Sequence, residues 1–161
     1  MTSGRFWLIA AALAATAVAF STACGGSGAV CTSCPSMEGR YTVEFAAGAI
    51  PADCTALGVT LPQGPLDIQR SGGGLTATWE EVELEGTLYQ SLDFNLLGTQ
   101  AEPDGGRTQF SVSGRYAPGS TDGGVGTLSG SFTGSYTRAA AQGPRNCSIF
   151  RAYTAAQQRQ P

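Results

Sequence analysis

The spacing most suggestive of chemistry is Cys31-Thr32-Ser33-Cys34, because two thiols three residues apart form redox pairs and half of a zinc site. A reactive thiol needs a cation or a helix N-terminus beside it to lower its pKa, and this pair stands in a stretch that reads as a tether. With Cys54 and Cys147 the set numbers four, which suits either one zinc ion or two disulfides. An exported chain meets oxidising conditions, so disulfides at Cys31, Cys34, Cys54 and Cys147 are expected and a metal site is not. Cys54 with Cys147 and Cys31 with Cys34 is the favoured pairing; a crossed pairing through Cys34 stays open.

The one charge run is Trp79-Glu80-Glu81-Val82-Glu83-Leu84-Glu85-Gly86. On a strand it puts Glu81, Glu83 and Glu85 on one face, about 6.6 Å apart, opposite Val82 and Leu84. That distance overlaps the carboxylate separation of inverting glycosidases, but those carboxylates flank the substrate from different elements and these stand in a single row. A solvated outer face is the expectation, with a cation-binding strip as the competing reading. Asp53, Asp67 and Asp104 read as turn residues. The chain has no His, so its serines have no matched base, and neither a G-x-S-x-G elbow nor a phosphate-cradling loop occurs. No catalytic residue and no cofactor are therefore expected, and the protein reads as a non-enzyme.

The elements that would position these residues follow a leader. Residues 1–23 pass from a charged start, Met1 to Arg5, through an apolar run ending at Phe20 to small residues Ser21, Thr22 and Ala23, as a secretory signal does. The apolar run is short for a membrane span, and Gly25 and Gly26 follow it where a stop-transfer segment would carry charge. Ser21-Thr22-Ala23-Cys24 satisfies the small-residue rule of ordinary secretion and also resembles a bacterial lipobox, with Ser21 where that pattern usually has Leu. Cysteine parity favours the lipobox: with Cys24 lipidated, an even set of four remains for disulfides. Residues 24–36 then read as the lipidated cysteine and a flexible tether.

The 161 residues suit one domain, and the part after the tether is long enough to bury a core. Without the leader the chain has 8 basic and 12 acidic residues and no basic cluster, which excludes nucleic acid as an expected partner. From Met37 onward apolar residues recur at every second position: Tyr41/Val43/Phe45, Leu57/Val59/Leu61, Leu66/Ile68, Leu75/Ala77/Trp79, Val82/Leu84/Leu88, Leu92/Phe94/Leu96, Phe110/Val112/Tyr116, Leu128/Phe132/Tyr136 and the stretch from Cys147 to Thr154. Gly72 to Gly74 and Glu102-Pro103-Asp104-Gly105-Gly106 read as hairpin turns, and no stretch carries helix periodicity. Gly114, Gly130 and Gly134 each precede an aromatic by two residues, so each ring shares a face with a glycine over which it can lie, as suits a sheet that closes on itself.

The fold expected is all-β, a small antiparallel meander barrel of about eight strands over residues 37–155, with a β-sandwich as the alternative and residues 156–161 as a disordered tail. Gly39-Arg40-Tyr41 resembles the Gly-x-Trp start of lipocalins, with Tyr41 in place of Trp, and Arg151 resembles the arginine of that family's last strand. The resemblance implies a barrel-closing stack of Arg151 on Tyr41. Cys34 to Tyr41 is also similar to the C-P-x-x-x-G-x-Y/W segment of small bacterial lipoproteins with β-rich domains, which implies no activity.

Two functions are expected of a chain held at the cell envelope, on the outer membrane or facing the periplasm, by a lipid on Cys24. One is a binding module that encloses a small apolar or amphipathic ligand between Trp79, Phe94, Phe110, Tyr116, Phe132 and Tyr136. The other is a structural or interaction lipoprotein with those aromatics as plain core, meeting an envelope protein through its outer face.

Overall fold

A computed structural model describes residues 28–72, 74–120, 124–141 and 143–159. Cys24 and the leader lie outside the described residues. Eight strands run in sequence order: β1 (Gly39–Phe45), β2 (Leu66–Ser71), β3 (Gly74–Trp79), β4 (Val82–Leu88), β5 (Asp93–Ala101), β6 (Arg107–Ala117), β7 (Thr127–Arg138) and β8 (Arg145–Gln157). Each pairs antiparallel with the next, and β8 pairs with β1 from Tyr41↔Gln157 to Phe45↔Tyr153, closing a barrel. The meander barrel expected from the alternation is the architecture, and the sandwich alternative is excluded.

Alternation carries through to burial. In β3, Leu75, Ala77 and Trp79 are buried while Gly74, Thr76 and Thr78 face water, and in β4 Val82, Leu84 and Leu88 are buried while Glu83 and Glu85 are exposed. The turns follow their chemistry. Gly72 takes φ +63° between β2 and β3, and the Glu102–Gly106 turn is closed by Gly106 N–H donating to the Asp104 carboxylate at 2.8 Å. β3 and β4 are joined through Glu80 and Glu81, with Trp79↔Val82 the last pair. Glu81 therefore belongs to the turn and not to the row of Glu83 and Glu85.

The glycine–aromatic repeat is realised at one of its three positions. A Cβ on Gly134 would lie 2.6 Å from the Tyr136 hydroxyl oxygen, so that ring does lie back over its glycine. Gly114 and Gly130 instead face each other as a register pair, where a Cβ would meet neighbouring backbone at 2.4 Å and 2.0 Å. These two glycines let β6 and β7 bend together, and Tyr153 of β8 reaches across Gly130, its partner in register, toward Gly114.

Three sequence expectations are corrected. Leu57, Val59 and Leu61 form no strand: a short helix α1 (Ala52–Ala56) starts after Pro51, and Gly58 at φ +68° turns the chain before Pro62. The segment is too short and too interrupted by Pro and Gly to show a helical period, and its three alternating apolar residues mimic a strand. Leu92 lies in the β4–β5 turn at φ +65°, so β5 starts one residue later than the alternation suggests. At the margins, the barrel engages the chain as early as Val30, which bridges Tyr89, and β8 continues through Ala156 and Gln157. The stretch read as a free tether is thus docked from Val30, and the first two residues read as tail are strand.

The barrel has two ends. End A carries both termini of the described chain, the β2–β3 and β4–β5 turns and the β6–β7 loop. End B carries residues 46–65 with α1, and the β3–β4, β5–β6 and β7–β8 connections. Cys54–Cys147 ties α1 to the start of β8 across end B, and Cys31–Cys34 closes a small loop at end A, which is the favoured pairing.

Candidate functional site

The interior is built first by the six aromatics read as a ligand lining. Trp79, Phe94, Phe110, Tyr116, Phe132 and Tyr136 all point inward and are all buried. Their rings line one another: centroids lie 5.3 Å apart for Trp79–Phe132, 5.2 Å for Phe110–Phe132, 6.1 Å for Trp79–Phe110 and 6.2 Å for Phe110–Tyr136. Most of these pairs meet edge to face, the arrangement the ring quadrupole favours, and Phe45 adds a stacked contact to Trp79 at 5.7 Å. Phe94 and Tyr116 belong to end A, where the Tyr116 hydroxyl donates to the Ser36 carbonyl. Within this packed interior the Trp79 indole N–H and the Tyr153 hydroxyl have no protein partner.

End B opens as a cavity of about 320 Å³ with Val59, Val82 and Phe110 on its apolar side and Glu80, Glu102 and Arg138 on its polar side. Arg138 is the organising cation. Both terminal nitrogens donate to the Thr108 hydroxyl at 3.2 Å, Nη2 lies 3.5 Å from a Glu102 carboxylate oxygen, and the guanidinium carbon sits 5.7 Å from the Tyr136 ring centroid. The Thr108 hydroxyl donates in turn to the Glu102 carboxylate at 2.6 Å, so hydroxyl, carboxylate and guanidinium satisfy one another. Burial, reinforced by the nearby Glu80 carboxylate, pushes the Tyr136 hydroxyl up to about 12 against the opposing pull of Arg138. The mouth can hold a polar group against an apolar floor. It brings together no nucleophile and base.

Comparison with known proteins finds no matching family model, no matching curated protein and no matching solved structure.

The stack implied by the lipocalin resemblance is absent. Tyr41 stands opposite Gln157 near end A and donates its hydroxyl to the Met37 carbonyl at 2.8 Å. Arg151 lies six residues back along β8 toward end B, where its guanidinium donates to the carbonyls of Phe150 and Ala49. The register of β1 on β8 separates the two side chains, so each serves a different end of the barrel.

Among the described residues, no three of His, Cys, Asp and Glu are grouped to hold a metal ion. Glu83 and Glu85 project outward from β4, paired across to Thr78 and Thr76 of β3, as a solvated acidic face.

Sequence reasoning missed a group of side chains that bind backbone at the barrel's ends. Arg70 and Arg138 stand at inward-facing positions near strand termini and Arg151 at one midway along β8, past the end of β1; each donates to backbone carbonyls, and Gln157 holds the Glu38 carbonyl at 2.7 Å. The signal was available: an arginine on the apolar parity of a strand, as in Leu66/Ile68/Arg70, must find acceptors where the barrel ends.

Proposed function

We propose that the mature chain is a cell-envelope lipoprotein, tethered through a lipid on Cys24, whose barrel is a filled structural or interaction module that works through its outer surface and its ends. The observation that carries this reading is the mutual contact of Trp79, Phe110 and Phe132 across the barrel, at 5.2 to 6.1 Å between centroids, which leaves no room between them for a guest. Two disulfides agree with an oxidising compartment, and the leader with export. The first described residues lie at end A, so a lipid on Cys24 sets end A toward the membrane and end B away from it.

A second reading is favoured by one feature, the end-B mouth of about 320 Å³, whose apolar floor and polar rim suit a small amphipathic ligand. It needs no opening of the aromatic core.

The anchor is tested by cell fractionation with intact mass measurement. The wild-type chain is expected in the membrane fraction carrying an acyl-glyceryl mass at Cys24, and Cys24→Ser in the soluble fraction. A wild-type chain that is unacylated and soluble contradicts the reading.

A further inference from the structure

We propose that Cys31–Cys34 is a thiol–disulfide exchange site, whose partner is a dithiol and whose reduction loosens the chain's N-terminal attachment to end A while the barrel stays folded.

The site is built around Arg70, at the end of β2. Its Nη2 donates to the Cys31 carbonyl at 2.9 Å and its Nη1 to the Cys34 carbonyl at 3.2 Å, so one guanidinium pins both ends of the disulfide loop. At the N-terminal side of that loop the chain is held by backbone. Cys31 N–H donates to Leu88 O at 2.9 Å, Gln90 N–H donates to Ala29 O at 2.9 Å, and Val30 bridges Tyr89. A surface hollow of about 350 Å³, lined by both cysteines with Thr32, Ser33, Gln90 and Leu92, gives an attacking thiolate room beside the half-buried Cys34.

Two features separate this bridge from Cys54–Cys147. Arg70, held on the Cys31 and Cys34 carbonyls, brings a positive charge to the loop from which a thiolate would leave. Cys31 and Cys34 are 3 residues apart, whereas Cys54 and Cys147 are 93 apart, so cutting the first bridge relieves little of the constraint on the unfolded chain and the second a great deal.

The exchange balances without another reactant. One thiolate of the partner attacks the Cys34 sulfur, giving a mixed disulfide and expelling the Cys31 thiolate, which takes up a proton. The partner's second thiol then displaces Cys34. Two electrons and two protons have passed to the chain, and the partner leaves as a disulfide. With the loop open, attachment can move from Val30 to Ser36, whose carbonyl Tyr116 retains. Six residues of extended chain lengthen the reach to the barrel by roughly 20 Å.

Timed exposure of the oxidised protein to dithiothreitol, followed by alkylation and peptide mass measurement, tests the proposal, with any Cys24 label read on its own peptide. Cys31 and Cys34 are expected to alkylate at least about 10-fold faster than Cys54 and Cys147. The β-sheet circular dichroism should stay unchanged while the Cys31 and Gln90 amides exchange about 10-fold faster. Simultaneous reduction of the two bridges, loss of the sheet along with Cys31–Cys34, or unchanged amide protection overturns it. The double variant Cys31→Ser/Cys34→Ser should fold and show the amide pattern of the reduced protein, and its failure to fold overturns the proposal as well. Arg70→Gln should slow the reduction; an unchanged rate overturns the site as built around Arg70.

Discussion

At the scale of single residues, the polar groups of this barrel are arranged by a single need. Strand ends carry backbone groups that have left water, and inward arginines, Gln157 and the hydroxyls of Tyr41, Tyr116 and Tyr136 answer them. Tyrosines show the cost of that arrangement. Burial raises the hydroxyls of Tyr41 and Tyr153, and burial followed by Glu38 raises Tyr116; Tyr136 reaches about 12. In the unfolded chain a phenol ionises near 10. Between roughly pH 10 and 12 the unfolded state therefore sheds protons that the folded state retains, and stability falls as pH rises; below about pH 10 these groups add no pH dependence. A series of denaturant midpoints is expected to be level with respect to the tyrosines up to about pH 9.5 and to drop above it, with tyrosinate absorbance appearing together with unfolding. Tyrosinate appearing for every tyrosine near pH 10 in a still-folded barrel would contradict the burial. The inward placement of Tyr116 and Tyr136 was legible from alternation; the carbonyls of Ser36 and Thr60 that their hydroxyls meet were not, because they lie in segments with no strand period that the fold brings to the barrel's ends.

At the scale of elements, the least paired seam is between β1 and β2, which share three register pairs, Gly39↔Ile68 to Tyr41↔Leu66. β6 and β7, by contrast, share eleven, from Arg107↔Thr137 to Ala117↔Thr127. The chain between β1 and β2 holds α1, and the Cys54–Cys147 bridge fastens that connection to β8, beyond the reach of ladder hydrogen bonds. Replacing both cysteines, as Cys54→Ala/Cys147→Ala, is expected to cost about 4–5 kcal/mol in chain-entropy terms, read as a lower denaturant midpoint. A loss under about 1 kcal/mol would mean that the seam holds without its staple. The strands themselves were readable because each alternates inward apolar with outward polar residues, and turn residues with a physical reason to be there separate them. Gly72 supplies a positive φ, and Asp104 caps its own turn. Residues 46–65 were not, because their apolar positions pack against the mouth of a barrel and follow no period of their own.

At the scale of the whole molecule, the exterior divides in two. The faces of β1 to β4 display Glu44, Asp67, Glu83 and Glu85, with Arg40 paired to Asp67 at 3.6 Å. The faces of β5 to β8 display mainly Ser, Thr, Asn and Gln, and on them Leu97 and Phe150 stand in one register row through Ser111 and Thr133. The barrel, its eight strands and its two disulfides follow from alternation, turn chemistry and cysteine parity. Whether its interior is a pocket or a packed core does not, because that depends on ring volumes brought together from β1, β3, β6 and β7. Native mass spectrometry of the protein purified from its own host tests the filled barrel most directly. The expected mass is the polypeptide with its covalent Cys24 modification and no apolar adduct; a wholly apolar molecule, with no polar group for the end-B rim, retained one-to-one and released only on unfolding would contradict a filled barrel.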